Sequence, residues 1–263
     1  MSEKLNPPEK IIENINGATN RMEKVDQILG EDLKVHFAKG VSNFLAHMED
    51  GEESVYSLKK DKKWGAKFAI QLVNASAEFE TAWHCIRLSN IPACYRHSRV
   101  GVECIGFGVL LAIPRKQLQQ LSPKLRFIKQ LQKNEDKDIF DLFSPRIISR
   151  DPVKVIEPKI KGNYIIPAFL DASKKILKVD KIITESLDEA VDTVFHPSSH
   201  NSIHNFSYHF EGFSTETGKA GAMYSEERAA TLKKAAENIA NLTHNLSAIL
   251  DSTYSYLNQH SKN

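Results

Sequence analysis

The chain has 263 residues, of which 41% are hydrophobic and 26% charged, and its mean hydropathy is −0.37. This composition is typical of a soluble globular protein with an ample core, and it excludes disordered, collagen-like and disulfide-dense chains. The formal charge of +2, from 35 basic and 33 acidic residues, argues against a strongly basic coat for nucleic acid but leaves room for a local basic patch.

The first sixty residues predict an N-terminal helical extension, residues 1–60. Between Ile11 and Leu29 the apolar residues recur at alternating spacings of four and three, which is typical of a narrow seam along one helix face, and Gly30 ends the pattern. A second helix follows and should end at residues 49–54, which read EDGEES. Its apolar face is formed by Leu33, Phe37, Val41, Phe44, Leu45 and Met48.

A basic segment, SLKKDKKWGAK (57–67), comes next. Its charge is carried by Lys59, Lys60, Lys62, Lys63 and Lys67. The pattern favours an exposed link that leads into a helix, and the alternative is an edge that contacts phosphate.

The most apolar part of the chain predicts two antiparallel helices. Residues 64–88 carry apolar side chains at helical spacing, and SNIP (89–92) supplies a stop and a restart, with Ser89 or Asn90 as cap and Pro92 in the first turn. The restarted helix runs to about residue 113 and is apolar on nearly all sides in its second half, so we expect it to be central. Its three glycines, Gly101, Gly106 and Gly108, allow close approach of other helices.

The remaining elements complete a mainly α fold. We expect shorter helices over 115–143, a small extended insertion near 150–169, helical segments at 171–179 and 185–195, and a long final helix that begins at residues 225–227. Together these elements predict a helical bundle of about seven helices over 61–263. The bundle is either preceded by the N-terminal extension or continuous with it as one domain.

The sequence lacks the motifs of several common enzyme classes. It contains no phosphate-binding G-x-x-x-x-G-K-[ST], no G-x-G-x-x-G after a strand, no G-x-S-x-G and no H-E-x-x-H. The three cysteines form no C-x-x-C pair, so we expect small buried thiols in a reducing compartment. The start of the chain has no apolar leader-like run, and the longest apolar stretch, 100–113, is too short to span a bilayer and contains Glu103. We therefore expect a cytoplasmic protein with no membrane contact and no cofactor.

Two places have unusual polar density, and the first is ACYRHSRVGVE (93–103). Arg99 and Glu103 are four residues apart and share a helix face with Arg96. Charges on an otherwise buried helix must be paired or face a cavity. The alternatives are a structural Arg–Glu pair and a site that faces a phosphate or another anion.

The second place is FHPSSHNSIHNFSYHF (195–210). His196, His200 and His204 are spaced by four, and on one helix three such imidazoles could bind zinc. Pro197 places His196 at or before a helix start, and no acidic residue lies between 193 and 210 to orient a ligand. These observations favour a polar helix start over a metal site, so we predict no bound metal.

The two places together resemble a known family. The stretch AEFETAWHCIRLSNIPACYRHSRVGVECIGFGVLLA (77–112) is similar to a pattern of bacterial HEPN-like proteins, in which a helix carries an arginine and, about four residues later, a glutamate. Arg99 and Glu103 match this pair, and His196, Pro197 and Ser198 match a second short segment of such families. With the long final helix, the resemblance covers roughly residues 64–255.

The resemblance implies an all-α bundle, often dimeric, from a defence, stress or toxin–antitoxin system. Active members are metal-independent RNases, with an arginine followed by histidine after four to six residues. None of the nine arginines of this chain meets that spacing, so a non-catalytic member is an open alternative, as is a histidine-rich metal-binding protein. We expect a homodimer that forms through the N-terminal seam or the bundle face, with a protein partner or antitoxin as a further partner. If the chain is catalytic, the resemblance implies RNA as substrate. Arg96 and Arg99 would contact phosphate, Glu103 would orient Arg99, and His196 or His200 would act as acid or base.

Overall fold

The computed structural model describes residues 17–143, 162–191 and 226–260. These residues form ten α-helices, and no strand occurs among them. The helices are α1 (Ala18–Leu29), α2 (Glu31–Lys59), α3 (Lys62–Arg87), α4 (Ile91–Ala112), α5 (Arg115–Leu118), α6 (Arg126–Lys133), α7 (Ile139–Phe143), α8 (Gly162–Lys175), α9 (Lys181–Ala190) and α10 (Glu226–His260). The predicted mainly α bundle is confirmed: eight of the described helices, α3–α10, lie within residues 61–263, where about seven were predicted, and α1 and α2 lie within residues 1–60.

The antiparallel pair α3 and α4 forms the centre of the bundle, as predicted. The side chain of Asn90 accepts a hydrogen bond from the backbone N–H of Ala93 and caps α4, and α4 ends at Ala112, before Pro114. Seventeen of its 22 residues are buried, since α2, α8 and α10 surround the pair. This burial explains why the second half of α4 carries no polar face.

The predicted role of the glycines in α4 is confirmed. A Cβ atom built on Gly101 would lie 2.6 Å from Cε2 of Phe79, and one built on Gly106 would lie 3.0 Å from Cγ of Phe169. Both distances are well inside normal van der Waals contact, so only glycine allows these aromatic rings of α3 and α8 to pack against α4.

The helix α2 is longer than predicted. It continues through residues 49–54 to Lys59, and Gly51 lies inside it, buried against the ring of Phe68. A glycine inside a helix costs about 1 kcal/mol relative to alanine, which packing on α3 offsets here. The end predicted at EDGEES was therefore wrong. Phe37, Val41 and Phe44 are buried as predicted and belong to the same hydrophobic core as α3 and α4, whereas Leu45 is exposed.

The extended insertion predicted near 150–169 is wrong for its second half, because Gly162–Lys175 is helical and contains Pro167. Residues 144–161 lie outside the described part of the chain. Proline inside a helix removes one backbone hydrogen bond. The flanking Ile166 and Ala168 are buried, as is Phe169 against Gly106, and this packing holds the helix despite the proline.

The basic segment 57–67 is a tight helix-to-helix connection. Lys60 has φ +50 and ends α2, and the Asp61 carboxylate accepts a hydrogen bond from the backbone N–H of Lys63, which starts α3. Lys60, Lys62 and Lys63 are exposed as predicted, but Lys59 and Lys67 are half-buried.

Those two lysines flank the indole of Trp64. Nζ of Lys59 lies 5.1 Å and Nζ of Lys67 4.9 Å from the ring centroid. Lys59 also donates a hydrogen bond of 3.0 Å to the carbonyl of Ile113, just past the end of α4, and Lys67 forms an ion pair of 3.3 Å with Asp138. The prediction of an exposed link is therefore wrong for both residues.

The final helix begins close to the predicted position and closes the bundle. Leu232, Ala236, Ile239, Leu246 and Ile249 are buried along its length, as the helical spacing predicts. It packs mainly against α2, and the imidazoles of His36 and His244 stack there with ring centroids 4.0 Å apart. In the described ranges, no helix is long and apolar enough to cross a membrane.

Candidate functional site

The first half of α4 carries the polar residues that the sequence singled out. Arg96 is exposed to solvent. Three residues further on, Nε of Arg99 donates a hydrogen bond of 3.0 Å to Oε1 of Glu103, and the two side chains are only 16% and 11% exposed. The i,i+4 pair is therefore formed as predicted, and it lies largely inside the bundle.

Burial sets the electrostatics of this pair. Desolvation raises the pKa of the Glu103 carboxyl, while the hydrogen bond from Arg99 and its positive charge act in the opposite direction. The desolvation effect is the larger of the two, so Glu103 holds a proton more readily than an exposed glutamate. Arg99, with Nε committed to Glu103, is a positioned rather than a mobile cation.

A contact between a carboxylate and an imidazole crosses from α3 to α4. Nδ1 of His97 lies 2.7 Å from Oε2 of Glu78, with the side chains 38% and 31% exposed. A carboxylate only accepts hydrogen bonds, so Nδ1 carries the proton in this contact. The neutral tautomer then leaves Nε2 of His97 with a lone pair, which is the arrangement of a carboxylate-oriented general base.

The sequence contains only a coarse signal for this pair. Glu78 lies ten residues before Leu88 and His97 seven residues after Asn90, on either side of the turn at 88–90. In an antiparallel helix pair with a short connection, residues at matched distances from the turn face one another. Counting outward from this turn therefore places His97 within about one helix turn of the position opposite Glu78, and it does not single out this pair.

The thiol beside these carboxylates is inert. Burial, followed by the negative charges of Glu78 and Glu103, raises the pKa of Cys104 to about 12. Burial also raises the pKa of Cys94 well above its usual value. The thiolate is the nucleophilic form, so neither residue is a candidate nucleophile. Both are buried as predicted, and Cys85 is half-buried.

The residues predicted as acid or base, His196 and His200, lie outside the described residues together with His204. Their convergence with Arg96 and Arg99 therefore stays a prediction. Within 17–143, 162–191 and 226–260, no three histidine, cysteine or acidic side chains are grouped as metal ligands.

A cleft of about 340 Å³ opens beside the start of α4. Tyr95, the residue before Arg96, lines it together with polar side chains of α9 and α10. Nδ2 of Asn245 donates a hydrogen bond of 3.2 Å to Oγ of Ser186 across this cleft. Comparison of the chain with protein-family models, with curated proteins and with solved structures gives no match.

Proposed function

We propose that this chain is a HEPN-like protein of a bacterial defence, stress or toxin–antitoxin system that cleaves RNA without a metal ion. The observation that carries the proposal is the contact of His97 with Glu78, on the helix turn that also carries the exposed Arg96. The proposal includes a cytoplasmic homodimer whose activity a protein antitoxin would control.

The chemistry follows from the roles that these groups can take. Glu78 holds the His97 ring through Nδ1, so Nε2 is available to remove the proton of a ribose 2′-OH. The 2′-oxygen then bonds to phosphorus, the bond to the 5′-oxygen breaks, and an acid returns a proton to the leaving oxygen. We assign that acid to His196 or His200. Arg96 stabilises the charge that develops on the phosphate.

Arg99 and Glu103 have a supporting role in this proposal. The buried ion pair fixes one turn of α4 directly after His97 and Arg96, so both reactive side chains extend from a rigid helix. The sequence assigned Arg99 to phosphate contact. Because Glu103 occupies its Nε, we now assign it to positioning.

The experiment is an RNA cleavage assay with purified full-length protein in the presence of a chelator. We expect products with 2′,3′-cyclic phosphate ends, and a loss of about 100- to 10 000-fold in rate for His97→Ala. His84→Ala is the matched control, because His84 is an exposed histidine near the end of α3, and its rate should equal that of the wild type. His196→Ala and His200→Ala identify the acid.

The result that would contradict the proposal is equally specific. If diverse RNAs stay intact in the presence of the wild type, and the His97→Ala protein behaves identically, RNA cleavage at this site is wrong. A chelator-sensitive activity would also contradict it, since no step assigned here uses a metal.

One observation favours a second function, a non-catalytic helical interaction module. Arg99 and Glu103 are paired with each other and largely sealed from solvent, as expected for charges that only join helices. Removing one partner of a buried pair costs about 3–5 kcal/mol because the other charge stays buried. This function predicts that Arg99→Ala and Glu103→Ala both lose that stability while RNA is neither bound nor cut. Unchanged thermal unfolding in both variants would count against it.

A further inference from the structure

The helix α3 has an apolar outer face that no described element covers. Ile70 and Val73 are 53% and 45% exposed, which is high for large apolar side chains on a helix otherwise packed against α2 and α4. Ala66 is half-buried and Ala77 exposed. The spacings between these four residues are four, three and four, so they form one stripe, which we call the α3 stripe.

Opposite charges lie at the two ends of the α3 stripe. Lys63 precedes Ala66 by three residues, and Glu80 follows Ala77 by three. Both side chains are exposed, and within the described residues neither charge has an ion-pair or hydrogen-bond partner. Among the described residues, the stripe therefore ends in one cation and one anion that lack a partner.

The spacing of residues along the stripe is the same in both directions, and the charges at its two ends are opposite. About a midpoint between Gln71 and Leu72, Ile70 mirrors Val73, Ala66 mirrors Ala77, and the cation Lys63 mirrors the anion Glu80. A two-fold axis through this midpoint places the α3 helices of two copies antiparallel. Each Lys63 then faces a Glu80, and Ile70 packs on Val73 twice.

The same stripe disfavours the other arrangement. Two parallel α3 helices would place Lys63 beside Lys63 and Glu80 beside Glu80, and like charges at an interface reduce affinity. The alanines at both ends of the antiparallel contact have small side chains, so the helix axes can approach to about 8–10 Å.

We propose that the α3 stripe binds the α3 stripe of a second copy of this chain in an antiparallel, two-fold symmetric dimer. This gives a defined surface to the homodimer of the proposed function, and it does not depend on RNA cleavage. Two ion pairs flank a small apolar centre, so the dimer should dissociate more readily at high salt.

The experiment measures the dimer dissociation constant of purified full-length protein by sedimentation over a wide range of protein concentration. Lys63→Glu and Glu80→Lys each convert two attractive contacts into two repulsive ones, and each should weaken the dimer about tenfold or more. The double variant Lys63→Glu/Glu80→Lys restores both ion pairs with reversed polarity and should recover the wild-type constant. Lys129→Glu, an exposed charge reversal on α6, is the matched control and should have no effect.

The apolar centre is tested by Ile70→Ser/Val73→Ser, which should leave only monomer. Ile182→Ser is its control, because Ile182 is 77% exposed on α9, away from the stripe. All these residues are exposed, so circular dichroism should show an unchanged fold.

A monomeric wild type would overturn the proposal. The proposal would also be overturned if the charge reversals left the dimer dissociation constant unchanged. The same holds if the double variant dimerised as weakly as the single variants. If the protein dimerises as described but does not cleave RNA, the proposed function is wrong and the dimer proposal is unaffected.

Discussion

The half-buried ammonium of Lys59 should make the protein more stable as the pH rises through the alkaline range. Desolvation lowers the pKa of Lys59 from its usual 10.5 to about 8, and the negative charge of Asp138 only partly opposes this effect. The folded protein therefore binds fewer protons than the unfolded chain between pH 8 and pH 10.5. The contribution of Lys59 to folding is least favourable below pH 8, and it improves until the lysine of the unfolded chain also loses its proton.

The magnitude follows from the two pKa values. A fall from 10.5 to about 8 corresponds to about 3 kcal/mol at 1.36 kcal/mol per pKa unit. Lys59 keeps some contact with water, which screens its charge, so we expect about 1–3 kcal/mol. Lys59→Met keeps the aliphatic packing on Trp64 and removes the titrating group, at the cost of the hydrogen bond to the carbonyl of Ile113.

The assay is urea unfolding of the wild type and the variant at a series of pH values from 7 to 10.5. The free energy of unfolding of Lys59→Met, minus that of the wild type, should fall by about 1–3 kcal/mol over this range. Other lysines and tyrosines titrate equally in both proteins and cancel in the difference. The control is Lys62→Met, which replaces the exposed first residue of α3, and its free-energy difference should not change with pH. If the free-energy difference for Lys59→Met is also independent of pH, the buried placement of the Lys59 amine is wrong.

Two further predictions concern α4, one its packing against α3 and one its N-cap. Each is tested by thermal or urea unfolding followed by circular dichroism. Gly101→Ala should destabilise the protein by about 1–3 kcal/mol, because its Cβ would lie 2.6 Å from the ring of Phe79. Gly108→Ala, whose Cβ would lie 3.2 Å from Cβ of Gln71, should cost clearly less, and equal costs would contradict the packing described. Asn90→Ala removes the side-chain acceptor that caps α4 and should cost about 1 kcal/mol, whereas Asn90→Asp should retain most of the stability.

The sequence predicted the parts of the fold that depend on local pattern. The stop at SNIP, the cap at Asn90 and the end before Pro114 follow from backbone chemistry that needs no distant partner. The errors arose where tertiary contacts override local preference. Gly51 and Pro167 both argue locally for a break, yet both lie inside helices whose neighbouring residues are buried in the core.

In the candidate site too, contacts set by local spacing could be predicted, and contacts set by tertiary packing could not. Arg99 and Glu103 were predicted because their i,i+4 spacing makes them neighbours on any helix. The contact between His97 and Glu78 depends on how two helices are aligned, and counting residues from the turn locates it only to within about one helix turn. The burial of Lys59 could not be inferred, since the acceptor at Ile113 lies 54 residues away and nothing near Lys59 indicates it.

The helix α3 connects the two proposals through different faces. Glu78 is directed to His97 on α4, whereas its neighbour Ala77 belongs to the outer stripe, and adjacent residues on a helix point about 100° apart. Among the described residues, no hydrogen bond or ion pair links Lys63 to the His97–Glu78 contact, so a charge reversal at Lys63 should change association without changing the geometry of that contact. A Lys63→Glu protein that is monomeric and still cleaves RNA at the wild-type rate would mean that each copy carries a complete site. A monomer with lost cleavage, restored in the double variant Lys63→Glu/Glu80→Lys, would mean that the active site is completed only in the dimer.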